Sequence, residues 1–225
     1  MGTINSILLL AGCYSLLFLL FFWVWKRKCG DLTSPKVQSG NWTLLHLRHA
    51  GGLVILVLIP LIFLPVIPEG LLIWPQHISN IQVMAVMVTG LVLLTLSVKE
   101  ADGIKNKING PGSRSPFHAV LHMILRNSFL VGYEWFFRGV LLFTCIGLFG
   151  TTSGVIINIV LYAFIHSFNG RKEFLGSIPL GILLCVFTLW WQSVWPAVFL
   201  HLLLSSTYES VILHRFFCKS TKLVI

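Results

Sequence analysis

The sequence predicts an all-α fold, a polytopic transmembrane helical bundle with about seven spans. Of its 225 residues, 56% are hydrophobic and only 10% are charged, whereas ordinary soluble domains carry about 25% charged residues. The mean hydropathy is +0.87. The apolar residues also fall in separate long runs, and a spanning helix needs about 20 such residues. The chain is therefore expected to be an integral membrane protein in contact with a lipid bilayer.

Seven apolar runs are candidate spans, at residues 4–25, 50–67, 81–98, 127–149, 153–168, 174–191 and 195–213. Residues 117–126 are predicted to form an interfacial helix before the fourth span, which would make eight helices. The first run has basic residues after it and none before it, which favours a retained anchor over a signal peptide. The five cysteines form no CxxC pair, which argues against a disulfide framework or a structural zinc site.

Lysine and arginine are concentrated in alternate connections. They occur between spans one and two, three and four, and five and six, and again after span seven. The opposite connections, at residues 68–80 and 150–152 and near Gln192, contain none. This positive-inside pattern predicts a cytoplasmic C-terminus and an N-terminus outside. The net charge of +9 thus reflects topology and an anionic leaflet, not a nucleic-acid partner. We expect a bacterial inner (plasma) membrane as the location.

A few ionisable residues lie inside the predicted spans, namely Glu134, Arg138, His166, His201 and Glu209. Such residues are costly in a bilayer and usually face the bundle interior or a water-filled cavity. Glu134 and Arg138 are four residues apart and share a helix face, as do His201 and Ser205. The sequence therefore predicts that polar stripes on neighbouring helices meet around a cavity open to the cytoplasm.

These residue types suit hydrolysis of an amide. A carboxylate and an imidazole can hold and deprotonate a water, and a second imidazole with a hydroxyl can stabilise an oxyanion. Glu134, His166, His201 and Ser205 are the candidate catalytic residues. Glu134, His166 and His201 also match the ligand set of a catalytic zinc, although an HExxH motif is absent. The residues are therefore compatible with either a divalent metal cofactor or a metal-free site.

Simpler interpretations exist for several of these residues. Glu134 and Arg138 could be only a buried ion pair that fixes helix packing. His118 and His122 are also four residues apart. They are interpreted as the polar face of the interfacial helix, with a surface metal pair as the weaker alternative.

Two further carboxylates have weaker assignments. Glu173 follows two basic residues and is interpreted as a solvated loop charge, with a weak candidate role at the mouth of the cavity. Glu209 is near the end of the last span. We expect it to extend to the interface or to pair with Arg215.

Three short motifs occur in order on three predicted spans: "YEWFFRG" at 133–139, "YAFIHS" at 162–167 and "HLLLS" at 201–205. They resemble the EExxxR, FxxxH and HxxxN motifs of the CPBP intramembrane protease family. This is the CAAX-protease and bacteriocin-processing group, which includes Rce1-type prenyl endopeptidases. "GSIPLG" at 176–181 is also similar to the family. The resemblance covers residues 117–214.

The resemblance implies an intramembrane endopeptidase whose substrate is a membrane-associated peptide or protein. It implies that Glu134 and His166 prepare the water, and that His201 with Ser205 stabilises the oxyanion. It implies either a metalloprotease or a glutamate-dependent mechanism without metal. The expected division is residues 1–116 as N-terminal helices without a recognisable motif, 117–214 as the catalytic core and 215–225 as a basic cytoplasmic tail.

The motifs depart from the family pattern at three positions. Tyr133 replaces the first glutamate, Ser205 replaces the asparagine and Tyr162 replaces the phenylalanine. The resemblance assigns the missing glutamate to the water, so either Glu134 has taken over or the chain is a non-catalytic relative, such as a scaffold, immunity or partner protein. A transporter with a Glu/His proton path is a third hypothesis, but the sequence lacks the inverted repeat that would favour it.

Overall fold

The structure is a computed structural model that describes residues 2–64, 74–75, 77–104 and 115–221. Every regular element within these ranges is helical, so the predicted all-α bundle is confirmed. The α-helices are α1 Gly2–Lys26, α2 Pro35–Gln38, α3 Thr43–Leu53, α4 Ile59–Phe63, α5 Asn80–Gly103, α6 Pro116–Glu134, α7 Leu142–Phe149, α8 Thr151–His166, α9 Arg171–Trp191 and α10 Trp195–Thr221. Two π-helical segments, Val54–Leu58 and Trp135–Leu141, join α3 to α4 and α6 to α7, and the 3₁₀ turn Ser167–Asn169 follows α8.

Seven helices of the described residues are long and apolar enough to cross a membrane, which confirms the predicted number of spans. They are Asn5–Lys26, Thr43–Phe63, Asn80–Gly103, Pro116–Phe149, Thr151–Asn169, Arg171–Trp191 and Trp195–Cys218. The prediction of a separate interfacial helix at 117–126 is wrong, because these residues are the first half of α6. No proline or glycine interrupts them, and they continue into the fourth span without a break.

The fourth span contains a wide turn and is followed by a tight one. The π-helical segment Trp135–Leu141 lies directly after α6, and π-helical turns of this kind often occur at functional sites. Gly150 then reverses the chain with φ 80° between α7 and α8. A β-carbon at Gly154 of α8 would lie 2.7 Å from the backbone nitrogen of Ile146 in α7. These two helices therefore form a hairpin with backbone-to-backbone contact.

The packing of α6, α8 and α10 positions the site. Helix α10 contacts α5 and α6, α8 contacts α9, and α3 contacts α6. Aromatic rings fill the space where these helices meet: Tyr133 lies 5.5 Å from Phe129 and 4.4 Å from Phe137, and Tyr162 lies 5.8 Å from Phe137, between ring centroids. The polar residues of the motifs lie around this aromatic centre.

Ion pairs between the helix ends bring several basic connections to one end of the bundle. Lys172 pairs with Glu100 at 2.5 Å, and Arg215 pairs with Asp102. The C-terminal ends of α5 and α10 and the N-terminal end of α9 therefore lie on the same side of the bundle. That this side faces the cytoplasm stays a prediction, and much of the lysine-free connection 68–80 lies outside the described residues.

Candidate active site

Glu134 and His201 form the central contact of the site. The Glu134 Oε1 atom lies 2.5 Å from His201 Nδ1, at the end of α6 and in the second turn of α10. Glu134 is fully buried and His201 is nearly so. An ionised carboxylate can only accept hydrogen bonds, so His201 donates from Nδ1. The lone pair of a neutral imidazole is then left on its Nε2 atom.

Arg138 lies one turn after Glu134 and holds it from the other side. Its Nε atom is 3.5 Å from Glu134 Oε2, so the two side chains do share a helix face as predicted. The Nη1 atom of Arg138 donates to Asn158 Oδ1, and the guanidinium lies 4.4 Å from the centroid of the Tyr162 ring. Arg138 is thus fixed by groups from both α6 and α8.

Asn158 is a site residue that the sequence interpretation missed. It is fully buried, and its Nδ2 atom donates to the carbonyl oxygen of Phe137 at 2.7 Å. That carbonyl belongs to the π-helical segment after α6. The available signal was spacing: Asn158, Tyr162 and His166 are four residues apart in turn, and so form one stripe of α8.

His166 adjoins two tyrosine rings. Its Nδ1 atom contacts the carbonyl oxygen of Tyr162 at 2.8 Å, and because a carbonyl only accepts, Nδ1 carries the hydrogen. The hydrogen-bond partner of Glu134 in the structure is His201, and the preparation of a water by Glu134 and His166 stays a prediction. The Tyr133 and Tyr162 ring centroids lie 6.2 and 4.5 Å from that of His166.

Tyr133 adjoins both imidazoles. Its ring centroid lies 6.2 Å from that of His166 and 6.1 Å from that of His201. The side chain is buried, and its hydroxyl has no hydrogen-bond partner within the described part of the chain. A phenol therefore stands next to both histidines at the sequence position where the motif has its first glutamate.

Ser205 contacts Arg126, although it was expected to work with His201. The Ser205 hydroxyl accepts hydrogen bonds from Nη2 and Nε of Arg126 at 3.1 and 3.3 Å. It lies one turn beyond His201 on α10, as the spacing predicted. Its oxygen accepts from the guanidinium of α6, and a role for its hydroxyl hydrogen beside His201 stays a prediction.

Glu209 and His122 form a second buried pair. The Glu209 Oε2 atom lies 3.2 Å from His122 Nε2, and Glu209 Oε1 lies 3.8 Å from Arg126 Nε. The expectation that Glu209 pairs with Arg215 is wrong, because Arg215 pairs with Asp102. The expectation of an exposed face at His122 is also wrong, because its side chain is 1% exposed. Packing of α6 against α10 brings both residues inside the bundle.

These contacts form a series between two antiparallel helices, which we call the polar ladder. From the interior of the bundle toward one end, its rungs are Glu134–His201, Arg126–Ser205 and His122–Glu209. The partners occur at multiples of four residues on each helix, so each helix contributes one face. The ladder therefore joins the motif residues to polar residues that sequence reasoning had treated separately.

Glu173 lies apart from this ladder. It is exposed and belongs to the first turn of α9, so it is a helix residue and not the loop charge that was expected. Its Oε2 atom accepts a hydrogen bond from Asn169 Nδ2 at 2.6 Å. Its weak candidate role at the mouth of a cavity stays a prediction.

The divalent metal considered from the sequence stays a prediction. Among the described residues, no group of three or more His, Cys, Asp or Glu side chains is placed to hold a metal ion. Glu134 and His201 direct their facing atoms at each other, and His166 Nδ1 is bound to a carbonyl. These hydrogen bonds are made by the Nδ1 atom of each histidine and leave its Nε2 atom for a ligand.

Comparison with known proteins bears on the identity of this core. Residues 117–207 match the family model described as type II CAAX prenyl endopeptidase Rce1-like. This range contains two rungs of the polar ladder, Glu134–His201 and Arg126–Ser205. No curated protein and no solved structure matches the chain. Residues 117–207 of this polytopic membrane protein are therefore similar to the Rce1-like family, as the resemblance of the three motifs predicted.

Proposed function

We propose that the protein is an intramembrane endopeptidase that hydrolyses a peptide bond of a membrane-associated peptide or protein near the cytoplasmic face. The observation that carries the proposal is the buried contact between Glu134 and His201, within the segment that matches a protease family. The end of the bundle that bears the basic connections is the cytoplasmic one in this proposal.

The proposed base is His201, oriented by Glu134. The carboxylate holds the hydrogen on Nδ1, so Nε2 can take a proton from a water; a carboxylate plays the same orienting role in serine protease triads. The Nε2 atom of His166 accepts a hydrogen bond from the same water. The water oxygen attacks the carbonyl carbon and its proton passes to His201. His201 then donates that proton to the departing amine.

The Tyr133 hydroxyl is the proposed donor to the oxyanion. It is buried, adjoins both imidazoles and has no hydrogen-bond partner within the described part of the chain, and tyrosine is a known donor of this kind. Ser205, to which the resemblance gives that role, accepts hydrogen bonds from Arg126. Arg138 supports the site by holding Glu134.

The test is cleavage of a quenched fluorescent S-farnesyl peptide by the full-length protein in nanodiscs. We expect Glu134→Gln to lower kcat/KM by about 10² to 10⁴-fold, the range that acid–base groups contribute, while the protein stays monodisperse. Glu100→Gln is the matched control, since that carboxylate pairs with exposed Lys172. Cleavage by Glu134→Gln at the wild-type rate would remove Glu134 from the mechanism.

A non-catalytic relative is the second candidate, and Tyr133 favours it. In this alternative the phenol between His166 and His201 fills the space of the nucleophilic water, and the chain acts as a membrane scaffold, immunity or partner protein. It predicts that wild-type protein cleaves no prenylated or leader peptide. It also predicts that cells expressing Glu134→Gln keep the wild-type phenotype.

A further inference from the structure

The N-terminal helices contact the turn that follows His166. His166 is the last residue of α8, and the 3₁₀ turn Ser167–Asn169 comes directly after it. Asn169 in this turn binds the side chain of Arg48, which lies on α3. The family match covers residues 117–207, so α3 lies outside it. The contact therefore joins a helix without a recognisable motif to the chain beside a candidate catalytic histidine.

Arg48 is a buried cation that does not touch a carboxylate. It is only 5% exposed. Its Nη1 atom donates to the carbonyl oxygen of Gly30, and its Nη2 atom donates to Asn169 Oδ1 at 3.2 Å. Within the described part of the chain it forms no ion pair with an aspartate or glutamate. A buried charge is costly unless it is paired, so the two hydrogen bonds must offset that cost.

The amide of Asn169 links this cation to a carboxylate. Its Nδ2 atom donates to Glu173 Oε2 at 2.6 Å. A guanidinium only donates and an ionised carboxylate only accepts, so the two charged neighbours allow one orientation of the amide, with Oδ1 toward Arg48 and Nδ2 toward Glu173. We call the series Arg48–Asn169–Glu173 the amide bridge. It joins α3 to the first turn of α9 across the end of α8.

His166 needs such support because it ends a helix. The last turn of a helix lacks part of its backbone hydrogen bonds, and helix ends are among the first parts of a protein to open locally. The Nδ1 contact with the Tyr162 carbonyl fixes the imidazole relative to α8 only. The Phe168 ring adds an apolar hold, since its centroid lies 4.8 Å from that of Phe18 and 6.3 Å from that of Phe22 on α1. The amide bridge is the polar hold on the same turn.

We propose that Arg48 is a positioning residue for His166 and acts through the amide bridge. Arg48 holds Asn169, the turn holds the end of α8, and the end of α8 sets the position of the His166 Nε2 atom. Glu173 takes part by fixing the orientation of the amide. The role of that Nε2 atom in hydrolysis rests on the proposed function, whereas the link from Arg48 to His166 can be tested without turnover.

Carbethoxylation of single histidines tests this link. Diethyl pyrocarbonate reacts with the free nitrogen of a neutral imidazole, and mass spectrometry of the full-length protein in nanodiscs gives the rate at each histidine. We expect Arg48→Gln to raise the rate at His166 by at least about threefold, because opening of the turn no longer breaks a charge-assisted hydrogen bond. The rate at exposed His214 should stay at the wild-type value. An unchanged rate at His166, or an equal rise at both histidines, would overturn the proposal.

Further variants locate the effect in the amide bridge. Asn169→Leu removes both contacts of the amide from a half-buried position and should raise the rate at His166 as Arg48→Gln does. The double variant should add little, because both changes break one series of contacts. Arg48→Lys should keep part of the protection, since it keeps the charge but loses the planar fork. Arg215→Gln is the matched control, because Arg215 binds a backbone carbonyl and Asp102 at the ends of α5 and α10. A wild-type rate at His166 in Asn169→Leu would overturn the proposal, and this variant decides alone if Arg48 variants do not fold.

Turnover of the farnesyl peptide separates this proposal from the proposed function. We expect Arg48→Gln to lower kcat and to leave KM within about twofold, because a displaced His166 affects the transition state more than substrate binding. Faster carbethoxylation of His166 in a protein that cleaves nothing supports the amide bridge and contradicts the endopeptidase. Cleavage by wild type, with an unchanged rate at His166 in Arg48→Gln, contradicts the bridge and supports the endopeptidase.

Discussion

Glu134 and His201, 67 residues apart in sequence, meet at 2.5 Å inside the bundle. This contact couples the two side chains, so their substitutions should not act independently. We expect Glu134→Gln, His201→Gln and the double variant to lower kcat/KM to a similar residual value, because residues that act as a unit are not additive in kinetics. Double-mutant kinetics with the farnesyl peptide check this. Multiplicative losses would indicate separate roles, and Glu134→Gln combined with Glu100→Gln is the control.

Tyr133→Phe separates the catalytic and non-catalytic interpretations of the missing glutamate. The hydroxyl is buried without a partner in the described part of the chain, so its removal should not lower the unfolding temperature. If the hydroxyl stabilises the oxyanion, the same change lowers kcat by about 10² to 10³-fold. Thermal unfolding and turnover, measured on one preparation, distinguish the catalytic role of Tyr133 from the non-catalytic one. Unchanged kcat would leave Tyr133 as a packing residue only.

Asn158→Ala should destabilise the fold more than substitution of a less buried asparagine. It removes the acceptor of Arg138 Nη1 and the side-chain donor to the carbonyl of Phe137, which costs about 2–3 kcal/mol when one of the groups is charged. Asn127→Ala is the matched control, since Asn127 only accepts from Ser206 in a half-buried position. Denaturant or thermal unfolding in detergent gives the difference. Equal losses for both variants would contradict the structural role of Asn158.

Glu209→Gln tests the lowest rung of the polar ladder. The Glu209–His122 pair is buried, and the isosteric amide keeps one hydrogen bond but loses the charge that faces Arg126. We expect a loss of about 1–3 kcal/mol in unfolding free energy. Asp102→Asn breaks the exposed pair with Arg215 and is expected to change stability by less than about 1 kcal/mol. A larger loss of unfolding free energy for Asp102→Asn than for Glu209→Gln would contradict the stabilising role of the Glu209–His122 pair.

Gly154→Ala should open the hairpin of α7 and α8. The added β-carbon would lie 2.7 Å from the backbone nitrogen of Ile146, and backbone cannot move aside as a flexible side chain can. We expect a loss of about 1–3 kcal/mol, as for other overpacked sites. Gly147→Ala meets no atom within 4 Å and should be neutral or stabilising by up to about 1 kcal/mol. Unfolding temperatures of the two variants provide the comparison.

The sequence predicted the number of spans and the faces that carry polar residues, because hydropathy and four-residue spacing are local properties. Glu134 and Arg138 share a face as expected, and so do His201 and Ser205. Which helix face packs against which other helix is not a local property of the sequence. The choice of His201 over His166 as the partner of Glu134 depends on how α6, α8 and α10 pack around the Tyr133 and Tyr162 rings.

The missed features have the same origin. Asn158 lies in an apolar run, and its partners, Arg138 and the carbonyl of Phe137, are 20 and 21 residues away. Residues 117–126 were interpreted as interfacial because His118, His122 and Arg126 are too polar for a lipid-facing surface. They are instead covered by α3 and α10, and no single-helix property shows that a neighbour will cover them.

The fully buried Arg138 has a consequence for biogenesis. A charged residue at the centre of an inserting helix costs about 2.5–3.5 kcal/mol, and the fourth span carries both Arg138 and Glu134. They begin to offset each other within one turn, but Asn158 arrives on the next span and His201 on the last one. The fourth span therefore enters the bilayer before its polar groups are satisfied. Until the C-terminal helix is made, Glu134 is without its His201 partner.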